Sequence, residues 1–508
     1  MNEDNEPISI SLADEAAMIR LGEDLALALK AGDCLALSGD LGAGKSTLAR
    51  AFLRAIADDD DLEVPSPTFT LVQSYDLRIP VSHFDLYRIG DASELYELGL
   101  DEALSNGIAL IEWPEMAEDE LPDDRIRLRI EHEGDGRRVT IDAPPKQRAR
   151  ILRVLAIRRF LENAGRGDAH RRYLTGDASM RAYEYFRNST GKRTILMDWP
   201  RQPEGPPVLD GKPYPKVAHI AEDAYPFAAL SRYLRGRGFA APEVFAADYD
   251  AGILLIEDLG SEGILDADGR PIPERYRQAV ACLAALHAQP AERDIPVTAT
   301  HVHHIPDFDR TAMKMEARLL LDWHLPWKRG TPATDEEREE YSAIWDGLID
   351  QLADSETNLL LRDYHSPNII WRGDRQGNDR VGIIDFQDSM IGPTAYDLAS
   401  IVQDARVTIE RGLFDQLMRD YLALRRQDPS FDEAKFLKTW AIMAAQRACK
   451  LGGLWVRLMQ RDGKPAYMKH MPRTLAYLDA AFEHDVLAPL RKWCAKAGIA
   501  SSESPQQV

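Results

Sequence analysis

The segment Gly39-Asp40-Leu41-Gly42-Ala43-Gly44-Lys45-Ser46 crowds small residues ahead of a Lys-Ser pair. It follows the alternating run Cys34 to Leu37 and precedes a helix-like run from Lys45 to Ala57. Strand, small-residue turn and helix in that order make the P-loop, a cradle for phosphates. Without bulky side chains, successive backbone N–H groups can turn toward phosphate oxygens, and the helix N-terminus adds the positive end of its dipole. Lys45 is placed to reach the β and γ phosphates and the Ser46 hydroxyl to bind Mg²⁺. The expected ligand is ATP with Mg²⁺, held by these eight residues and Thr47.

A second constellation lies far along the chain. Leu361-Arg362-Asp363-Tyr364-His365-Ser366-Pro367-Asn368 sets an Asp five residues before an Asn, and Ile383-Ile384-Asp385-Phe386-Gln387 follows a short hairpin-like interval. Phosphoryl transfer to a hydroxyl calls for a carboxylate that positions the acceptor and takes its proton. It also calls for oxygen ligands that hold Mg²⁺ against the phosphates. Asp363 suits the first task; Asn368 and Asp385 suit the second.

These groups need scaffolds. Ser11 to Ala31 reads as a helix, with Ser11 and Asp14 spaced as a capping box, Met18, Leu21, Leu25 and Leu29 on one face, and Gly32 as the stop. Strand-like runs at 70–77, 81–87 and 107–113 continue an α/β order. They leave Asp85 and Glu112 at strand ends, where acids can hold Mg²⁺ or its waters and orient an attacking water. The acidic run Asp58 to Asp61 reads as a solvated loop. A hairpin is expected over 125–142, and Pro144 and Pro145 then break the pattern, which sets a domain boundary near residue 146. A helix over 147–164, alternating segments over 173–198 and mainly helical sequence thereafter predict a small β-rich lobe followed by a larger helical lobe. Pro203 to Pro215 reads as a loop, and 501–508 as a disordered tail.

Four phrases around the cradle carry a resemblance: Ser66-Pro67-Thr68-Phe69-Thr70, His83 to Arg88, Glu94 to Leu100, and Ile111-Glu112-Trp113-Pro114-Glu115. In this order, with this P-loop, residues 8–142 resemble the ATPase subunit of the bacterial tRNA threonylcarbamoyladenosine machinery. The resemblance implies an α/β P-loop NTPase domain whose ATP hydrolysis supports threonylcarbamoylation of tRNA adenosine 37, together with other subunits of that complex. It implies that Glu112 is the stronger metal ligand. Thr68 suits a loop that senses nucleotide state, and Trp113 either lies beside the nucleotide or belongs to the core.

The second constellation, with Gly392 to Leu398 beyond it, resembles the aminoglycoside phosphotransferase family, whose fold is α+β and bilobal like that of protein kinases. In that light Thr175 to Ser179, followed by Arg181 and Tyr183, is the phosphate-covering turn, so Ser179 and Arg181 are candidate nucleotide residues. Leu254 to Gly260, with Glu257, is the hinge that meets adenine. Arg362 departs from the usual opening before the Asp. The strand Thr194 to Asp198 has no Lys where a phosphate-pairing one is expected, so another cation, such as Arg181, must substitute unless this half is inactive. Within the family, the words are most similar to the kinases that phosphorylate the anomeric hydroxyl of N-acetylmuramate and N-acetylglucosamine in cell-wall recycling. A catalytically silent interaction domain and a kinase for aminoglycosides or choline are the competing readings. Asp388 is a sugar contact or a structural acid, and His301, His303 and His304 are surface or loop histidines.

Bulk properties agree with two enzymes in one chain. At 508 residues the sequence exceeds what one core of roughly 100 to 200 residues holds. No apolar stretch approaches the roughly 20 residues of a membrane span, and the acidic start lacks the marks of a secretion signal, so a cytoplasmic protein is expected. Cys34, Cys282, Cys449 and Cys494 show no metal or disulfide spacing. Of the net charge of −21, residues 1–146 carry −19, with 13 Lys and Arg against 32 Asp and Glu, and the remainder carries −2, with 49 against 51. So negative a surface repels a phosphate backbone, and any link to tRNA is expected to pass through partners.

Overall fold

The computed structural model describes residues 6–92, 94–174, 181–187 and 191–499, which group into two compact units. The first holds residues 6–200 and 245–256; the second holds 201–244 and 257–499.

In the first unit, strand β1 (Ile8–Leu12) leads to helix α1 (Glu15–Ala28), β2 (Cys34–Gly39), α2 (Lys45–Ala57), β3 (Val72–Tyr75) and β4 (Val81–Asp85). Short helices α3 (Glu94–Glu97) and α4 (Leu100–Asn106) precede β5 (Ile108–Glu112), β6 (Ile126–Glu133) and β7 (Gly136–Asp142). These strands form one sheet in the order β1-β7-β6-β2-β5-β4-β3. Its centre, β6-β2-β5-β4, is parallel and its flanks antiparallel. Ile108 to Glu112 is buried along its whole length, as a strand covered on both faces must be.

The helix expected over 11–31 is shorter than the sequence indicates. Ser11 belongs to β1, where Ile8, Ile10 and Leu12 alternate with serines and pair with β7. Asp14 alone caps α1, accepting from the Ala17 N–H at 2.8 Å. The helix ends at Ala28, so Gly32 lies in the turn beyond it.

Helix α5 (Pro145–Asn163) follows, then β8 (Arg172–Leu174), β9 (Ala182–Arg187) and β10 (Arg193–Asp198). With strands Val244–Asp248 and Ile253–Glu257 they make a five-stranded sheet. Ile151 and Val154 of α5 belong to the core under the seven-stranded sheet, while Ile157 and Leu161 pack with Phe186, Leu196 and Leu255 under the five-stranded one. One helix thus closes two cores.

The second unit is mainly helical. Its longest helix, Glu433–Gln460, runs buried beside Arg310–Leu319 and Ala395–Val402. The interval expected to be a loop, Pro203 to Pro215, contains a two-stranded hairpin, Pro207–Leu209 with Lys212–Pro213. The antiparallel pair Thr357–Leu360 with Met390–Pro393, and within it the hairpin Ile369–Trp371 with Val381–Ile383, frame the Asp363 segment. All four cysteines are free and buried. Among the described residues no helix is long and apolar enough to cross a membrane. The tail beyond residue 499 and the turn at 175–180, Ser179 included, lie outside the described residues.

Candidate active sites

The cradle is set by backbone that side chains would obstruct. Gly39, Gly42 and Gly44 hold φ of +144°, +79° and +115°, where a side chain is strained. A Cβ on Gly39 would sit 2.5 Å from the Ile130 carbonyl oxygen. The turn empties into α2, so Lys45 and Ser46 occupy the helix's first turn, facing the ends of β4 and β5. Strand register aligns Asp85 with Glu112, and Glu112 with Leu37 of β2. Both acids therefore stand at the C-terminal edge of a parallel sheet, where open α/β sheets bind ligands.

Ser46 Oγ donates to Glu112 Oε2 at 2.9 Å, and His83 Nε2 lies 2.9 Å from Glu112 Oε1. Asp85 Oδ2 accepts from Ser66 Oγ at 2.7 Å and Thr68 Oγ1 at 3.1 Å, and its Oδ1 from the Tyr87 N–H at 3.1 Å. Lys45 Nζ donates to the carbonyls of Gly39 and Asp40 at 2.6 and 3.0 Å and lies 3.6 Å from the Trp113 ring centroid. Burial lowers the Lys45 pKa, against the opposing pull of Glu112. Trp113 keeps φ of +61°, a costly conformation for a bulky residue, and is half-buried while Tyr87 tilts against it at 4.9 Å. The donor set around Ser46 and Glu112 is all oxygen, which suits Mg²⁺. His83 and Ser66 stand inside phrases quoted from the sequence, but spacing alone assigned neither a partner.

In the second unit the Asp363 segment is strained and pinned. Arg362 has φ of +71° and Asp385 φ of +60°. Buried Asp397 accepts from the Leu361 and Arg362 N–H groups at 2.6 and 2.9 Å. Arg362 donates to the Ala218 carbonyl at 3.0 Å and pairs with Glu316, which is fully buried and also bound by Lys450 at 2.9 Å. Asn368 Nδ2 donates to the Asp363 carbonyl at 2.9 Å and to Asp385 Oδ2 at 3.3 Å. The three sequence-derived residues thus converge, with oxygens fit for Mg²⁺ on Asn368 and Asp385. Arg447 Nη1 lies 3.8 Å from Asp363 Oδ1. Burial opposes ionisation of Asp363, but Lys450, Arg447 and Arg362 outweigh it and hold its carboxyl far below the ordinary range. Burial pushes His365 down to about 4. Arg447 and Lys450 lie three residues apart on a helix without a motif, so the sequence carries no signal for them.

Other candidates fall as follows. The Glu257 carboxylate accepts from Arg235 at 3.0 Å and from the Glu243 N–H at 3.3 Å. Arg181 lies with its guanidinium 5.1 Å from the Trp199 ring centroid. In β10, Asp198 accepts from Arg153 Nε at 3.0 Å. Asp388 accepts from the Ala221 N–H at 2.7 Å, and burial raises its pKa. His304 pairs with Asp294 at 2.8 Å, His301 stacks on Tyr225 at 3.7 Å, and no metal-binding cluster occurs among the described residues.

Comparison with known proteins matches both halves. Residues 12–140 match the family of the threonylcarbamoyl adenosine biosynthesis protein TsaE, and residues 170–437 match the phosphotransferase enzyme family. An N-acetylmuramate/N-acetylglucosamine kinase of Caulobacter vibrioides is 33% identical over 353 residues, 66% of this chain and 93% of that protein. A kinase of the same name from Pseudomonas aeruginosa is 28% identical over 314 residues, 60% of this chain and 82% of its own. The tRNA threonylcarbamoyladenosine biosynthesis protein TsaE of Haemophilus influenzae is 37% identical over 145 residues, 27% of this chain and 90% of that protein.

Proposed function

The chain belongs to the TsaE family through its front residues and to the phosphotransferase enzyme family through residues 170–437, and from that premise we propose a bifunctional enzyme. Residues 1–146 hydrolyse ATP in support of tRNA adenosine-37 threonylcarbamoylation, working with other subunits that carry the tRNA. Residues 147–500 transfer the γ-phosphoryl group of ATP to the anomeric hydroxyl of N-acetylmuramate or N-acetylglucosamine. The observation that carries the second assignment is the joint presence of the Asp363, Asn368 and Asp385 cluster and the 33% identity to the Caulobacter vibrioides kinase.

In the front half, Lys45 and the cradle N–H groups bind the phosphates, and Ser46 and Glu112 would hold Mg²⁺. Asp85, braced by Ser66 and Thr68, orients the attacking water. In the rear half, Asn368 and Asp385 would hold Mg²⁺, which would supply charge neutralisation for the transferring phosphoryl group. Asp363 aligns the acceptor hydroxyl. It accepts the hydroxyl proton as the sugar oxygen bonds to phosphorus and the bond to ADP breaks. Arg362 and Asp397 fix the backbone on which Asp363 stands.

The test incubates the whole chain with Mg-ATP and each sugar and reads anomeric phosphate by phosphorus NMR. A parallel assay reconstitutes tRNA modification with the partner subunits. Phosphorylation of aminoglycosides alone would keep the fold and reject the sugar; phosphorylation of no small hydroxyl compound would leave a silent interaction domain.

A further inference from the structure

Three buried cations crowd the Asp363 cluster, and two of them are satisfied. Arg362 pairs with Glu316 and donates to the Ala218 carbonyl at 3.0 Å, and Lys450 Nζ meets Glu316 at 2.9 Å. Arg447 is left with long contacts: 3.4 Å to the Arg362 carbonyl, 3.5 Å to the Tyr396 hydroxyl and 3.8 Å to Asp363 Oδ1. Among the described residues its buried Nε has no partner. A guanidinium carries five N–H donors, and leaving them unspent away from water costs free energy. An oxyanion brought in by a substrate would take them up, in the forked geometry that suits a phosphate.

The fold fixes where this guanidinium lies. The helix Glu433–Gln460 is pressed onto the helix Arg310–Leu319 at Gly453, where a Cβ would stand 2.0 Å from the Leu319 carbonyl oxygen. Gln446, next to Arg447, donates to the Met313 carbonyl at 3.2 Å and to Glu316 Oε2 at 3.1 Å. Depth and rotation of the long helix are thus set, and with them the direction of Arg447. Asp363 keeps 32% of its side-chain surface open, enough to meet an acceptor hydroxyl, and Arg447 stands behind it at 6%.

We propose that Arg447 is a further catalytic residue of the rear half, whose guanidinium fork binds the γ-phosphoryl group as it passes to the sugar. The proposal rests on the reading that this half is a sugar kinase. A group within reach of the carboxylate that holds the acceptor oxygen is also within reach of the phosphoryl group which that oxygen attacks. The acceptor oxygen bonds to the γ-phosphorus while the bond from that phosphorus to the bridging oxygen breaks, and ADP leaves with the electron pair. The hydroxyl proton goes to Asp363, and Arg447 gives up none. Its charge offsets the negative charge spread over the equatorial oxygens, the task of an arginine supplied within the chain in other phosphoryl transfers.

The experiment measures sugar phosphorylation by the whole chain with ATP and each sugar varied in turn, for the unaltered protein, Arg447→Met and Arg447→Lys. Loss of such an arginine costs about 10³ or more in kcat. Arg447→Met should show that loss with both N-acetylmuramate and N-acetylglucosamine, with the KM values for ATP and sugar little changed. Arg447→Lys keeps the buried charge but not the fork, so it should retain more turnover than Arg447→Met and still fall at least about tenfold below the unaltered chain. Circular dichroism and thermal unfolding check the fold; if Arg447→Met does not fold, Arg447→Lys decides alone. Unaltered kcat in a folded variant overturns the proposal, as does a loss confined to the KM for ATP. A rise in KM for N-acetylmuramate alone would assign Arg447 to the lactyl carboxylate that only this sugar carries, and overturns it too. An unaltered chain that phosphorylates neither sugar defeats the kinase reading before any variant is made, and the proposal falls with it.

Discussion

Ser46 Oγ reaches Glu112 Oε2 at 2.9 Å across 66 residues of sequence, which ties the first turn of the cradle helix to the end of β5. The bond exists because β2 and β5 are parallel neighbours, so the turn and helix that leave β2 come up against the last residue of β5. His83 fixes the other Glu112 oxygen, leaving the carboxylate one orientation.

Glu112→Gln keeps the shape and removes the charge. ATP hydrolysis and tRNA threonylcarbamoylation should fall at least a hundredfold, since metal-borne charge stabilisation is worth several kcal/mol and about 1.4 kcal/mol is tenfold in rate. Lys45→Ala should do the same, while sugar phosphorylation at saturating ATP continues in both. Normal modified-nucleoside yield from Lys45→Ala in a reconstituted system, measured by mass spectrometry, would sink the front assignment.

In the rear half, Asp363→Asn and Asp385→Asn should separate. The first should lower turnover by about 10² to 10⁴, the usual worth of a positioned acid or base, with ATP affinity kept. The second should weaken both turnover and Mg-ATP binding, because it takes the negative charge from the proposed metal site and leaves only a neutral amide oxygen. Steady-state kinetics with varied ATP distinguishes them; equal loss of ATP affinity in both variants would contradict the division of roles.

The cradle turn, the strand-end positions of Asp85 and Glu112 and the grouping of Asp363, Asn368 and Asp385 are legible because each residue stands in a short local phrase that marks a turn or a strand end. The Ser11 cap misleads for a related reason: Ser and Asp spacing fits a capping box, but strand pairing with β7 claims Ser11 first. Arg447, Lys450 and Glu316 are illegible because they meet only when two helices more than a hundred residues apart in sequence pack together. The Asp58 to Asp61 run hides its partners for the same reason, since Arg172 and Tyr185 come over a hundred residues later.

Glu316 stands fully buried between Arg362 and Lys450. Burial opposes its ionisation, yet these two cations hold its pKa at about 2. Glu316→Leu leaves two buried cations without their anion, and should cost about 3 to 5 kcal/mol of stability. Urea unfolding checks this, and a loss under about 1 kcal/mol would show the pair to be solvated after all.

His324 offers a pH signature. Its ring is fully buried, neither nitrogen has a hydrogen-bond partner, and Trp327 tilts against it at 5.6 Å. Burial, aided by Lys328, lowers its pKa from 6.5 to about 4. Since the folded value is the lower one, the unfolded chain binds the extra proton as pH falls. The neutral ring's contribution is therefore intact above pH 6.5, declines between 6.5 and 4, and changes no further below 4. Each pH unit across which only the unfolded chain holds that proton costs about 1.36 kcal/mol, so the loss by pH 4.5 is roughly 2 to 3 kcal/mol. His324→Leu removes the titrating group, so the stability difference between variant and unaltered chain should move toward the variant by that amount between pH 7 and 4.5. Other buried histidines titrate equally in both proteins and cancel. Denaturant unfolding at a series of pH values gives the comparison, and a difference that stays flat from pH 7 to 4.5 would mean that the folded chain protonates His324 as readily as the unfolded one.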